Sequence, residues 1–346
     1  MLKENKILGL GLSQWIIIVF LIVLLVAASL QGMSVATLLS NSLVRIGMNA
    51  IFVLAMLPAI QSGIGLNFGL PIGIVFGLLS GLITVEIGMT GMAGFLAACL
   101  MAIVMALAAG YGYGLLLNRM RGSEMMVGNY LNFSVISLMC IAWMVLPFKN
   151  GKIIWAMGSG VRSTITLEEN YEKILDNLWS FDVFGITIPS GTLLLVALLC
   201  LVMWLFVRSK AGIMMSSSGS NPMFGAAIGI DNDRVRMQGT ILSTVLGAVG
   251  ILVYSQSFGF YQLYNAPIMM AYPAISAILI GGATTKRATI GNVIVGAILY
   301  QSILTIALPV ASEMLSDSSL SEILRTIVSN GIILYALTKL DGGKAR

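Results

Sequence analysis

Gly63-Ile64-Gly65-Leu66-Asn67-Phe68-Gly69-Leu70-Pro71-Ile72-Gly73 is a stretch that no comfortable helix accommodates. Glycine and proline both disfavour a helix interior. Yet its flanks, residues 43–61 and 68–87, are long apolar runs, each near the ~20 residues that cross a bilayer. Irregular backbone at membrane depth persists only where it is buried in protein or lines a wet cavity. Transporters use such broken helices to expose backbone groups to a polar solute. The segment 63–73 therefore predicts a broken helix in a polytopic membrane protein. Gly65, Asn67 and Gly69 become candidates for a solute route.

The rest of the chain agrees with that reading. Of its 346 residues, 58% are hydrophobic and 10% charged, against roughly 25% charged in a soluble domain. The natural solvent is lipid. Apolar runs at 13–30, 43–61, 68–87, 92–117, 125–146, 188–207, 238–258, 268–282, 290–309 and 322–337 predict an all-α protein of about ten transmembrane helices. The first run, longer than a signal-peptide core and followed by further spans, reads as an uncleaved anchor. Residues 1–346 form a single transmembrane domain on this reading. Two polar stretches interrupt it, an outer loop at 147–187 and a cytoplasmic segment at 208–238. A short amphipathic helix is expected at 167–178.

Charge orients the chain. With the N-terminus inside, thirteen of the nineteen basic residues fall on the cytoplasmic side: Lys3, Lys6, Arg119, Arg121, Arg208, Lys210, Arg234, Arg236, Lys286, Arg287, Lys339, Lys344 and Arg346. Lys149, Lys152, Arg162 and Lys173 stay outside in the long loop, where the positive-inside rule counts least. Arg45 and Arg325 lie at outer helix ends and snorkel. Both termini are thus predicted in the cytoplasm, and the net charge of +5 needs no nucleic-acid partner.

The chemistry inside the spans is sparse. With no histidine in the chain, histidine-based catalysis and histidine metal sites fall away. Cys99, Cys140 and Cys200 sit in apolar runs without metal-ligand spacing and read as small core residues. No catalytic or metal-ligating set emerges, so no cofactor is expected in this chain. Glycines spaced by four, at 73, 77 and 81, favour close helix packing, and Gly88, Gly91 and Gly94 read the same way. Glu86 and Glu124 lie near span ends, where interfacial or capping roles suit them better than ion coupling. The polar groups at depth are amides, Asn49, Asn67, Asn129 and Asn132 among them. Uncharged hydrogen-bonding groups suit a neutral, hydroxyl-rich solute.

The cytoplasmic segment carries one more signal. Asn221 is a good N-cap, Pro222 a good first helical residue, and Gly229 a stop. So short a helix needs a docking surface. Met223, Phe224, Ala227 and Ile228 supply an apolar face, Ala226 and Ala227 leave room for close approach, and Ile230 follows the stop.

Here the chain resembles a known family. Gly219-Ser220-Asn221-Pro222, Ala226-Ala227 and Gly229-Ile230 are similar, with slightly altered spacing, to the Gly-x-Asn-x-x-Ala-Ala-x-x-x-Gly-Ile helix of permease subunits of bacterial ABC importers for monosaccharides and nucleosides. These are the ribose-permease type within the branched-chain-amino-acid-like superfamily. Ala274-Ile275-Ser276-Ala277-Ile278-Leu279-Ile280-Gly281-Gly282, followed by Gly291 and Gly296, resembles their Ile-Ala-x-x-Ile-Gly-Gly stretch. The Gly65–Leu70 run matches a third family segment, and Ser123-Glu124-Met125-Met126 with Asn129-Tyr130 a fourth. After Gly282 the chain departs from the family's Gly-rich turn, and its outer loop is longer.

The resemblance implies a permease of the bacterial plasma (inner) membrane that imports a sugar or nucleoside. It also implies a second permease copy or sister permease, a cytoplasmic ABC ATPase and an extracytoplasmic solute-binding protein. No Gly-x4-Gly-Lys-(Ser/Thr) run occurs, so ATP and Mg belong to the partner. The alternatives from residues alone are an ion-coupled carrier for a neutral solute and a non-transport membrane protein.

Overall fold

The computed structural model describes residues 11–155 and 160–314. Among them run helices α1 (Leu12–Leu30), α2 (Val35–Gln61), α3 (Leu70–Glu86), α4 (Gly91–Arg119), α5 (Glu124–Val145), α6 (Ser190–Arg208), α7 (Lys210–Ser220), α8 (Pro222–Ala227), α9 (Asn232–Phe258), α10 (Ala266–Ile280) and α11 (Ile290–Met314). Four short strands complete the set: β1 (Thr164–Thr166), β2 (Phe181–Val183), β3 (Ile186–Ile188) and β4 (Phe260–Gln262). Six helices, α2, α4, α5, α6, α9 and α11, are long and apolar enough to cross a membrane. Shorter apolar helices are α1, α3 and α10. The nine expected spans on described residues each coincide with one of these. The tenth, 322–337, lies outside the described residues.

The core is organised around α9, which packs on α2, α3 and α4, while α10 and α11 close against α2. Small residues make this possible. Gly73 abuts Thr244 and Ala248, Gly77 abuts Ala248 and Ile251, and Gly81 lies under the ring of Tyr261. Gly73 and Gly77 of α3 thus form a backbone-close seam with α9, and Gly81 makes room for a β4 side chain. The next three glycines differ from expectation. Gly88 and Gly91 have open space where a Cβ would point and take positive φ in the α3–α4 turn, and Gly94 abuts Met89 of that turn. A run of one residue type at similar spacing serves packing in one place and chain reversal in the next.

Two local expectations are corrected. The break is shorter than 63–73: irregular backbone spans 62–69, and α3 begins at Leu70. Pro71 sits in the first turn, where its missing N–H costs nothing, so it starts the helix. No helix forms at 167–178 either. Lys173 takes φ +49 and donates its N–H to Gln256 O at 2.7 Å, outside the segment. Separate turns flank it, which satisfies the apolar spacing of Leu167, Tyr171 and Leu175 without a helix.

That loop is folded onto the bundle. β1 pairs antiparallel with β4, Thr164 opposite Gln262, and Ile153, Val161, Ile165, Leu167 and Tyr171 are buried in the main core. Tyr171 Oη meets Tyr261 Oη at 2.6 Å and Thr84 Oγ1 at 3.1 Å. Burial pushes both phenols above the usual tyrosine range. Asp176, also buried, accepts from Ser257 Oγ at 3.0 Å and from Thr192 Oγ1. Glu86, the last residue of α3, caps no helix but ties down the loop, accepting from the N–H groups of Lys149 and Asn150 at 2.9 and 3.1 Å.

Candidate functional site

The 62–69 break sits where α3, α4, α5 and α9 converge. Asn67, almost wholly buried, holds it together. Its amide nitrogen donates to Ser243 Oγ of α9 at 2.7 Å. Its carbonyl accepts from the Gly69 N–H at 2.9 Å and from Tyr113 Oη of α4 at 3.1 Å. Three of the four hydrogen-bonding positions of this amide are therefore engaged with protein. Asn67 staples the break to two helices.

The glycines explain themselves the same way. A Cβ on Gly69 would run into the Tyr113 ring, and one on Gly65 would stand 2.9 Å from Met125 Cε. On α5, Gly128 lies against Tyr113 Oη and the Gly69 N–H. One turn further along that face is Asn132, only 1% exposed, and its Oδ1 accepts from no protein group. Beside Gly128, Asn129 accepts a hydrogen bond from Tyr272 Oη of α10 at 3.0 Å. Tyr272 in turn meets Phe68 edge to face, ring centroids 6.1 Å apart.

The structure thus brings Gly65, Asn67, Gly69, Asn129 and Asn132 into one neighbourhood, and leaves Asn49 out. Asn49 lies on α2 with its amide bonded back to Arg45 O of its own helix. Sequence reasoning missed Tyr113, Ser243 and Tyr272. Their hydroxyls lie on helices far off in the chain, and no motif marks them.

The second group of expected residues lies at the end of the bundle that carries α7 and α8. The cap on α8 is formed: Asn221 Oδ1 accepts from Phe224 N–H at 3.1 Å, and Pro222 follows. Gly229 ends the helix, with the Ile230 N–H returning to Gly225 O at 2.9 Å. Phe224, Ala226 and Ala227 are exposed, whereas the neighbouring Gly225 is buried against Ser218 and Asn232. The longer α7, unforeseen in the sequence, begins at the N-cap Ser209.

These two regions touch. Gly63, at φ +83, and Gly219, in the last turn of α7, meet backbone to backbone: a Cβ on Gly63 would stand 2.9 Å from Gly219 Cα. A Cβ on Gly219 would strike Gln61 O. Only glycine serves at either position. At the same end, Arg236 of α9 donates to Glu124 of α5 at 2.7 Å, to Asn118 Oδ1 at 3.1 Å and to Leu117 O at 3.2 Å. The ionic pair is only 12% and 13% exposed. It clamps the ends of α4, α5 and α9 and occupies the one carboxylate at the start of α5.

Comparison with known proteins fits this architecture. The chain is 26% identical over 225 residues to the "Autoinducer 2 import system permease protein LsrC" of Yersinia pseudotuberculosis, and equally to that of Yersinia pestis. Each alignment covers 64% of this chain and 56% of the relative, so the chain spans about half the length of the curated relatives it matches. Residues 38–337 match the family described as "Branched-chain amino acid transport system / permease component". With six long apolar helices among the described residues, the protein is a multi-pass protein of the inner membrane. The match runs over most of the chain, which therefore belongs to the permease-component family of branched-chain amino acid transport systems.

Proposed function

We propose that this chain is the transmembrane permease subunit of an ATP-driven importer that moves a small, neutral, hydroxyl-rich solute, a sugar or nucleoside, into the cytoplasm. Ten spans with both ends cytoplasmic place α7, α8 and the Arg236–Glu124 clamp inside, and the 147–187 loop outside. The solute passes beside the 62–69 break. Asn67, Gly65 and Gly69 shape that wall, and Asn129, Asn132 and Tyr272 offer it hydrogen bonds. Hydrolysis of ATP, with its Mg, takes place on a partner ATPase that grips α8. A solute-binding protein delivers the solute from the outer side to a pair of permeases, identical or sister.

The observation that carries this reading is the Asn132 amide oxygen, buried at membrane depth without a protein donor. An unsatisfied buried carbonyl costs about 1–3 kcal/mol, and a passing hydroxyl offsets that cost. The uncharged surroundings favour a neutral cargo. The autoinducer-import permeases it resembles support the importer class.

Uptake in vesicles reconstituted with the partner subunits tests it. Asn132→Leu keeps the volume and removes the amide, so uptake of the solute falls at least tenfold while basal ATP hydrolysis persists. Asn67→Leu unpins the break and lowers both uptake and thermal stability. Unchanged uptake in Asn132→Leu at matched expression overturns the route.

A further inference from the structure

The hairpin that leads into α6 rests its second strand against α2, where Ile186 and Ile188 are half-buried, and leaves the rest of its apolar face open among the described residues. β2 and β3 pair with Phe181 opposite Ile188, Asp182 opposite Thr187 and Val183 opposite Ile186. Strand alternation therefore puts Phe181, Val183, Ile186 and Ile188 on one face, and Asp182 and Thr187 on the other. The connecting pair, Phe184 and Gly185, both have positive φ, +52 and +80. That turn geometry favours Asn or Gly at its first position, and a phenylalanine held there is strained. Phe184 is 98% exposed and Trp179, just before the hairpin, 73%. Phe181 and Val183 are exposed as well. A two-stranded hairpin is marginal in water, so an uncovered face of this kind calls for a partner.

Its position says which. Ser190 Oγ donates to Leu178 O at 3.3 Å and to Trp179 O, which fixes Trp179 at the first residue of α6. The Thr187 N–H donates to Ser40 Oγ of α2 at 2.9 Å. The 19 residues of α6 make a rod of about 28 Å, close to the ~30 Å hydrocarbon core. The start of α6 thus lies at one boundary of the core, and the hairpin sits immediately beyond it. The exposed row Leu194, Leu198, Leu201 and Leu205 runs down α6 from the hairpin. At its far end the Arg208 guanidinium lies 3.8 Å over the Trp204 ring. An aromatic group with a snorkelling base marks the opposite boundary. No Lys or Arg occurs between Lys173 and Arg208, so the hairpin itself offers no cation to anionic headgroups.

We propose that residues 179–188 form a membrane-interface anchor. The aromatic residues lie in the headgroup–acyl boundary of a phospholipid leaflet and hold the base of the 147–188 loop at a fixed height over the bundle. The inference rests on the multi-pass membrane placement and is independent of what the protein transports.

The test uses full-length protein in nanodiscs of uncharged phosphatidylcholine, on a background of Cys99→Ala, Cys140→Ala and Cys200→Ala. A nitroxide is attached at Phe184→Cys, at Trp179→Cys as a second reporter, and at Glu169→Cys as the aqueous reference. Collisions with oxygen, which concentrates in lipid, are compared with those of a water-soluble nickel chelate. The expected oxygen-to-nickel ratio at 184 and 179 is several-fold that at 169, and indifferent to salt and to added anionic lipid. A ratio equal to that at 169 overturns the anchor. Exclusion of both reagents overturns it too, because a protein surface, such as a second copy or a binding protein, then covers the face. The double variant Trp179→Ser, Phe184→Ser is expected to insert normally but to be cleaved several-fold faster in the 147–188 loop. Unchanged proteolysis counts equally against an anchoring role.

Discussion

The two ends of the helix bundle are finished in opposite ways. At one end the 147–188 loop folds back, buries Tyr171 and Asp176, and threads β1 onto β4. At the other, α8 turns Met223, Phe224 and Ile228 outward, Met223 to 84%. Both segments are polar interruptions of an apolar chain, so composition does not separate them. What separates them is where their apolar residues go. A stretch that hides its hydrophobic residues, as residues 161–176 do with Val161, Ile165, Leu167, Tyr171 and Leu175, is complete, and one that displays them, as α8 and the 179–188 hairpin do, is shaped for a partner or for lipid.

The sharpest way to break this contrast is at α8. Phe224→Ala, or Ala227→Trp, is expected to weaken binding of the proposed partner ATPase by about 2–4 kcal/mol, the scale of an interface hot spot. Insertion and thermal stability stay unchanged. Binding of the ATPase to nanodisc-held permease measures it, and wild-type affinity removes α8 from the interface. Next in size is the joint behind α8. Gly219→Ala forces a methyl onto Gln61 O, an overpacking of about 1–3 kcal/mol. ATPase binding survives, but solute-stimulated hydrolysis falls roughly tenfold. Equal stimulation in the variant and the wild type separates α8 from the break.

The loop end gives smaller effects. Tyr261→Phe removes the 2.6 Å contact with Tyr171 and costs about 1 kcal/mol, read as faster hydrogen exchange in β1. The same pair sets an alkaline limit. Both phenols are held above their usual range by burial, so their contribution is intact below the unfolded tyrosine value of about 10. It is lost as pH rises beyond that value, because the unfolded chain ionises first. Loop proteolysis accelerating above pH ~10, and less so in Tyr261→Phe, sharpens the contrast. Smallest of all is Glu169, whose carboxyl the Lys152 ammonium holds below the usual range. Its stabilisation is present at neutral pH and fades as pH falls through that lowered value. On so exposed a pair, Glu169→Gln leaves loop proteolysis unaltered.

What the sequence made legible follows from the range of the forces involved. The cap of α8 is local: Asn221, Pro222 and Gly229 act within a few residues, and reading them in order suffices. The long apolar helices are legible because hydropathy is additive along the chain. The partners of Asn67 are not, since Ser243 lies 176 residues away and hydroxyls at that distance leave no periodic trace. The 167–178 segment shows the converse failure. Its spacing is helical, but the Lys173 N–H finds a better acceptor in Gln256 O, a tertiary bond that overrides local propensity. Glycine is the most ambiguous letter: Gly77 seals a helix seam, while Gly88 only turns the chain.

The meeting of Gly219 with Gly63 has a mechanical consequence. Neither residue has rotamers, so a displacement of α7 reaches residue 63 without being absorbed by a pivoting side chain. Among the described residues no backbone hydrogen bond joins Gly219 to residues 61–63, and a bare van der Waals contact bears compression but not tension. If α8 is the lever, the joint is a pushrod. A push of α7 against residue 63 then moves the break. The return stroke has to come from elsewhere, through the Ser218–Asn232 bond at 2.6 Å and the recoil of α9. Such a linkage delivers force in one half of the cycle only.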